Sequence, residues 1–170
     1  SSVQVEDSGN YHCTATNDAG TVSRMIQLAV QVPPSISHQG PIEKRVIAGE
    51  EVVLPCEATG LPKPRITWQK GTKVLANTVG FEMLDTGSMK IQRAEISDSG
   101  IYICLAQNNA GTALGQVRLV VQVPPKIQDQ QTEFTVIQER EEILPCRTTG
   151  VPPPTITWEK DGQPISPGNP

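Results

Sequence analysis

Hydrophobic and polar residues alternate along this chain in short runs, and clusters of Gly, Pro, Asn and Asp separate the runs. Between residues 35 and 123 the alternation places Val52, Leu54 and Cys56 on one strand face, and Ile66 with Trp68 on another. Met89 and Ile91 follow, then Tyr102, Cys104 and Ala106, and finally Val117, Leu119 and Val121. Spacing of two residues marks half-buried strands, and many short strands with frequent turn signals predict an all-β sandwich. No stretch holds a helical period over a useful length.

The same pattern recurs along the chain. Val30-Gln31-Val32-Pro33-Pro34 returns as Val121-Gln122-Val123-Pro124-Pro125, and Asp7-Ser8-Gly9 as Asp98-Ser99-Gly100. Leu54-Pro55-Cys56 returns as Leu144-Pro145-Cys146, and Trp68 as Trp158. Recurrence at about 91 residues marks an array of similar units. The expected boundaries are 1–32 for the C-terminal part of one unit, 33–123 for a complete unit and 124–170 for the N-terminal part of a third. The chain thus reads as a window on a longer repeat, truncated at both ends. Residues 1–32 are expected to supply two last strands, Tyr11–Thr16 and Thr21–Val32, and residues 126–170 the first few strands of the next unit. Both ends are expected to expose apolar strand faces and unpaired edges.

Composition narrows the chemistry. Two residues each of Trp, Tyr and Phe oblige the core to rely on aliphatic side chains. A net charge of -4 leaves no basic footprint for nucleic acid, and the apolar runs are far short of a membrane span. No N-x-[ST] sequon occurs. The four cysteines are 43, 48 and 42 residues apart with no C-x2-C pair, a spacing that argues against zinc or iron–sulfur ligation. His12 and His38 have no nucleophile or carboxylate at motif spacing, and no phosphate-binding loop or carboxylate pair is visible. No catalytic residue, cofactor or metal is expected, and the acidic run Glu139-Arg140-Glu141-Glu142 reads as a solvated turn before a strand, with a cation or partner contact as the alternative.

The order Cys56, Trp68, Asp98-Ser99-Gly100-Ile101-Tyr102-Ile103-Cys104 resembles the immunoglobulin superfamily. That resemblance implies a Cys56–Cys104 bridge between two sheets, with Trp68 packed on it and Tyr102 forming a tyrosine corner. Cys13 and Cys146 fall at matching positions, which implies disulfide partners outside the chain. Tyr11 and Trp158 join Trp68 and Tyr102 as expected structural core. Gly60-Leu61-Pro62-Lys63-Pro64 and Gly150-Val151-Pro152-Pro153-Pro154 are similar to the G-x-P-x-P loop of intermediate-set (I-set) domains. Ala106-Gln107-Asn108-Asn109-Ala110-Gly111 and Ala15-Thr16-Asn17-Asp18-Ala19-Gly20 resemble that set's A-x-N-x-x-G hairpin, where Asn and Gly tolerate tight-turn geometry.

Between units there is no Gly/Ser stretch. Val121-Gln122-Val123 leads directly into Pro124-Pro125, and proline restricts both itself and the residue before it. Adjacent units should therefore sit end to end with little hinge freedom. On the sheet carrying Trp68, the alternation turns Ile101, Ile103 and Leu105 outward, where the first unit has Asn10, His12 and Thr14. Such a row is either a protein-binding patch or a β-branched run shielded by the stems of Arg65 and Arg118.

Family resemblance implies a non-enzymatic structural and adhesive segment of a secreted matrix or cell-surface protein. Its partners would be other proteins, through homophilic or heterophilic contacts between domains. Two alternatives stand beside it: an intracellular muscle-type scaffold and the ectodomain of a signalling receptor. The matched cysteines favour an oxidising compartment.

Overall fold

The computed structural model describes residues 2–38, 40–75, 79–128 and 131–165. Strands dominate it, and its only helical turns among the described residues are 3-10 turns at Val5–Asp7 and Ile96–Asp98. The chain begins with an antiparallel hairpin of β1 (Gly9–Asn17) and β2 (Gly20–Leu28). Both strands are exposed along their whole length. The sequence-based span of the second ran to Val32, but Ala29, Val30 and Gln31 lie outside the ladder and separate β2 from β3 (Val32–Ile36).

The central unit continues with β4 (Ile42–Ile47), β5 (Val52–Leu54), β6 (Ala58–Leu61), β7 (Arg65–Lys70) and β8 (Lys73–Val74). It is completed by β9 (Phe81–Met83), β10 (Met89–Ile91), β11 (Gly100–Asn108) and β12 (Gly111–Ile127). One sheet has the order β5-β10-β9, and the other runs β12-β11-β7-β8 with β4 joined parallel to the free side of β12. A short ladder pairs β3 with β6.

Between the sheets lies a core of sixteen buried apolar residues among those described. Trp68, Tyr102, Leu54, Met89, Ile91, Leu119, Val117 and Val121 are its largest members, each under 2 % exposed. A disulfide joins Cys56 to Cys104 across the two sheets, with Cα atoms 6.3 Å apart. The indole of Trp68 packs in the same cluster, and its Nε1–H donates to the carbonyl of Gly87 at 2.8 Å.

The run from Glu51 to Ala58 reads as one strand but is two. Pro55 has no N–H for a ladder, and the Cys56 N–H turns aside to donate to the buried Ser88 hydroxyl at 3.2 Å. Alternation nevertheless survives the break, because Val52, Leu54 and Cys56 all face inward.

Beyond the sandwich, β12 continues through Pro124 and Pro125 and pairs antiparallel with β13 (Thr148–Val151). Its partners there repeat an earlier ladder. Val123, Lys126 and Ile127 meet Val151, Thr149 and Thr148 as Val32, Ser35 and Ile36 meet Leu61, Thr59 and Ala58. A last hairpin joins β14 (Trp158–Lys160) to β15 (Gln163–Ile165).

Tyr11 and Trp158, expected as structural core, lie in the partial units at the two ends. They are 49 % and 41 % exposed, whereas Tyr102 and Trp68 are 0 % and 1 %. No second sheet faces β1 or β14 among the described residues, so both rings have only their own ladder to lie on. Cys13 is likewise exposed and Cys146 half-buried, and neither is in a disulfide.

Candidate protein-binding face

Four strands build the outer face of the larger sheet. Residues of β11 alternate strictly, with Tyr102, Cys104 and Ala106 buried and Ile101, Ile103, Leu105 and Gln107 turned outward. Cross-strand register fixes their neighbours. Ile101 sits opposite Arg118, Ile103 between Gln69 and Gln116, Leu105 between Thr67 and Leu114, and Gln107 opposite Arg65. On the far side, β4 sets Glu43 beside Arg118 and Arg45 beside Val120.

The result is an apolar row with polar margins. Ile101 is 49 % exposed and Leu114, on the neighbouring strand, 67 %. Leu114 was legible two residues from Gln116 in the same alternation but was not among the expected face residues. Two hollows flank Gln116 where Pro41 leans over the sheet edge. One, of about 330 Å³, is lined by Ile101, Ile42, Arg118 and Glu43, and the other, of about 250 Å³, by Ile103, Leu114 and Gly115.

Charge on this face runs against that of the chain. Arg65, Arg118 and Arg45 are opposed by one carboxylate, Glu43, which holds Arg45 in an ion pair at 2.8 Å. Neither Arg65 nor Arg118 belongs to an ion pair among the described residues. They close the two ends of the apolar row.

A set of hydrogen bonds ties together the elements beneath. The Asp98 carboxylate accepts from the Glu95 N–H at 2.8 Å, and the Tyr102 hydroxyl donates to the Asp98 carbonyl at 2.8 Å. The Ser99 hydroxyl accepts from the Val121 N–H at 3.0 Å, tying this corner to β12. Lys70 closes the corner, donating to the Ser97 carbonyl at 2.7 Å with its ammonium 5.3 Å from the Tyr102 ring centroid. Burial, reinforced by the Asp98 carboxylate, pushes the Tyr102 phenol well above its ordinary pKa. In the first unit the same motif makes the same bonds, from Tyr11 to the Asp7 carbonyl and from Val30 N–H to Ser8. The tyrosine corner is thus local geometry that needs no closed sandwich.

The remaining candidates stand apart from the face. His12 is exposed on β1. His38 packs under Gly115, with its Nδ1 3.2 Å from the Gly40 carbonyl. Glu139 to Glu142 form an exposed stretch that includes a turn. No group of three or more metal-ligating side chains occurs among the described residues. No described helix is long and apolar enough to cross a membrane.

Comparison with known proteins agrees with this architecture. The model of the immunoglobulin I-set domain matches residues 1–30, 35–121 and 125–170. Among I-set arrays, the direct V-x-V-P-P junctions resemble those of hemicentin. Hemicentin-1 of Mus musculus is 48 % identical over 164 residues, covering 96 % of this chain and 3 % of that protein. Protein sidekick-2 of Gallus gallus is 37 % identical over 167 residues, covering 94 % of this chain and 8 % of that protein. The chain therefore spans a small fraction of either relative. In three dimensions it is similar to an I-band fragment of titin, with a TM-score of 0.78 and 28 % identity over 98 % of this chain and 60 % of that one. Five immunoglobulin domains of Sidekick-1 give a TM-score of 0.65 at 26 % identity, over 98 % of this chain and 36 % of that one.

Proposed function

The chain belongs to the immunoglobulin I-set family, and on that premise we propose that it is a structural and adhesive segment of a large extracellular protein. The parent would be a matrix or cell-adhesion protein of many immunoglobulin domains, secreted or held at the cell surface. The segment does no chemistry. It acts as a stiff spacer that holds a protein-binding unit in line with its neighbours, and weak contacts made by several units of the parent would gain strength by effective concentration.

One observation carries this reading: β12 runs seventeen residues from the core of the central unit into the first ladder of the next. A connection made of strand and proline has no flexible segment to act as a hinge. The similarity to hemicentin supports the extracellular setting, as does the Cys56–Cys104 disulfide. Small-angle scattering of the whole chain tests the spacer. An extended particle is expected, and replacing Pro124 and Pro125 with glycine should broaden its distance distribution. A broad distribution in the unaltered chain would overturn the reading.

We assign protein binding to the face of Ile101, Ile103 and Leu105. Ile103→Asp should abolish partner binding and leave the thermal transition of the central unit in place. Unchanged binding would remove the face from the account. A second reading is favoured by the titin likeness, in which the chain is an intracellular elastic scaffold. There the cysteines would be reduced in the native source, and mass spectrometry under alkylating lysis decides between the two.

A further inference from the structure

The pattern of charge around the apolar row says more about what it meets. Both ends of the row finish in an arginine that is in no ion pair, although Glu43 lies beside Arg118 in register, and the polar positions between them are Thr67, Gln69, Gln107 and Gln116, all neutral. From Ile101 to Gln107 the strand advances about 3.4 Å per residue, so the two guanidinium stems leave the sheet roughly 20 Å apart. The one carboxylate on the face, Glu43, already holds Arg45. A basic apolar face on a chain of net charge -4 is a local departure from the rest of the molecule.

We infer that this face takes a heterologous protein surface: a ridge of apolar side chains flanked by two carboxylates about 20 Å apart. The inference rests on the protein-binding reading of Ile101, Ile103 and Leu105 given above. Three arguments select that occupant. The apolar row and its two hollows want side chains to fill them, which a sulfated or carboxylated polysaccharide does not offer. The unpaired arginines at the margin want carboxylates, and Arg binds these in two-pronged geometry.

A second copy of the same face fits badly. A two-fold contact presents the same patch on both sides, and because both ends carry arginine, either strand orientation sets arginine against arginine. Like charges so placed disfavour the pair. The first unit offers no equivalent, since Asn10, His12 and Thr14 occupy the corresponding row. Recognition of this kind therefore distinguishes the central unit from the first.

Two synthetic β-hairpins serve as probes for nuclear magnetic resonance titration of the whole chain. Each carries three valines on one face, and the two differ only in having Glu or Lys at end positions about 20 Å apart. Saturable shifts at Ile101, Ile103, Leu105 and Leu114 with the Glu hairpin, and at least about tenfold weaker binding of the Lys hairpin, are expected. Arg65→Glu combined with Arg118→Glu should reverse that preference. Equal affinity of both hairpins, or no response to the charge reversals while Ile103→Asp still abolishes binding, overturns the acidic partner and leaves the face standing. Binding that survives Ile103→Asp overturns the face itself, as does the absence of binding by either hairpin. Self-association lost in Ile103→Asp, or heparin competing at the same resonances, would show a different occupant and overturn the inference.

Discussion

A single glycine decides how the disulfide and the tryptophan are held. Gly87 adopts φ 92°, and a Cβ built there would lie 2.8 Å from the Cys56 carbonyl oxygen and 2.8 Å from Cγ1 of Ile66. Its carbonyl accepts the Trp68 indole N–H, and the next residue, Ser88, accepts the Cys56 N–H. Gly87→Ala combines left-handed strain with overpacking against backbone, so a loss of about 3 kcal/mol in chemical denaturation is expected. Gly71, at φ 58° with nothing within 4 Å, is the control, and Gly71→Ala should cost about 1 kcal/mol. Tyr102 supplies a pH test. Its phenol is held neutral above the ordinary value near 10, so its stabilisation is complete below that pH and declines as the pH rises further. An unfolding midpoint that falls from about pH 10 upward is expected. Tyr102→Phe should flatten that decline, at a cost of about 1 kcal/mol at neutral pH for the bond to Asp98.

At the scale of elements, Asn108 connects three of them. Its Oδ1 accepts from the Ala110 and Gly111 N–H groups at 2.8 and 3.2 Å, and its amide donates to the carbonyls of Val32 and Pro62 at 2.8 and 2.9 Å. The hairpin between β11 and β12 is thereby tied to the entry of β3 and to the loop before β7. Asn17 makes the same turn bonds to Ala19 and Gly20 in the first unit. Asn108→Ala should cost about 2 kcal/mol by leaving carbonyls without donors, read as a lower melting temperature. Asn108→Asp should restore only the turn bonds, since a carboxylate has no N–H to give. The motif, the alternation and the disulfide positions were all legible because each recurs in the sequence or obeys a period of two. The anchoring of Ser88 and the clasp on Val32 were not. Each depends on a residue more than 30 positions away, and local pattern carries no information about such partners. The apolar row of β11 and the arginines beside it were visible in the alternation, but Leu114 and the Glu43–Arg45 pair joined the face only with the cross-strand register.

For the whole molecule, one strand shared by two units and one crosslink within a unit set the mechanical behaviour. The bridge joins two residues 48 positions apart into a covalent loop, worth about 4 kcal/mol through the lost freedom of the unfolded chain. Cys56→Ala with Cys104→Ala should lower the stability of the central unit by that order in denaturant titration. Pulling reveals a further effect, because force applied at the two ends of a unit never reaches the residues inside the loop. Of a repeat about 91 residues long, only those outside the loop can straighten, yielding roughly 150 Å in place of about 300 Å. In force spectroscopy the oxidised protein should therefore give short steps that double when a reductant is added. A tissue stretched by such a protein would gain little length from each domain it sacrifices, and its extensibility would follow the thiol chemistry around it.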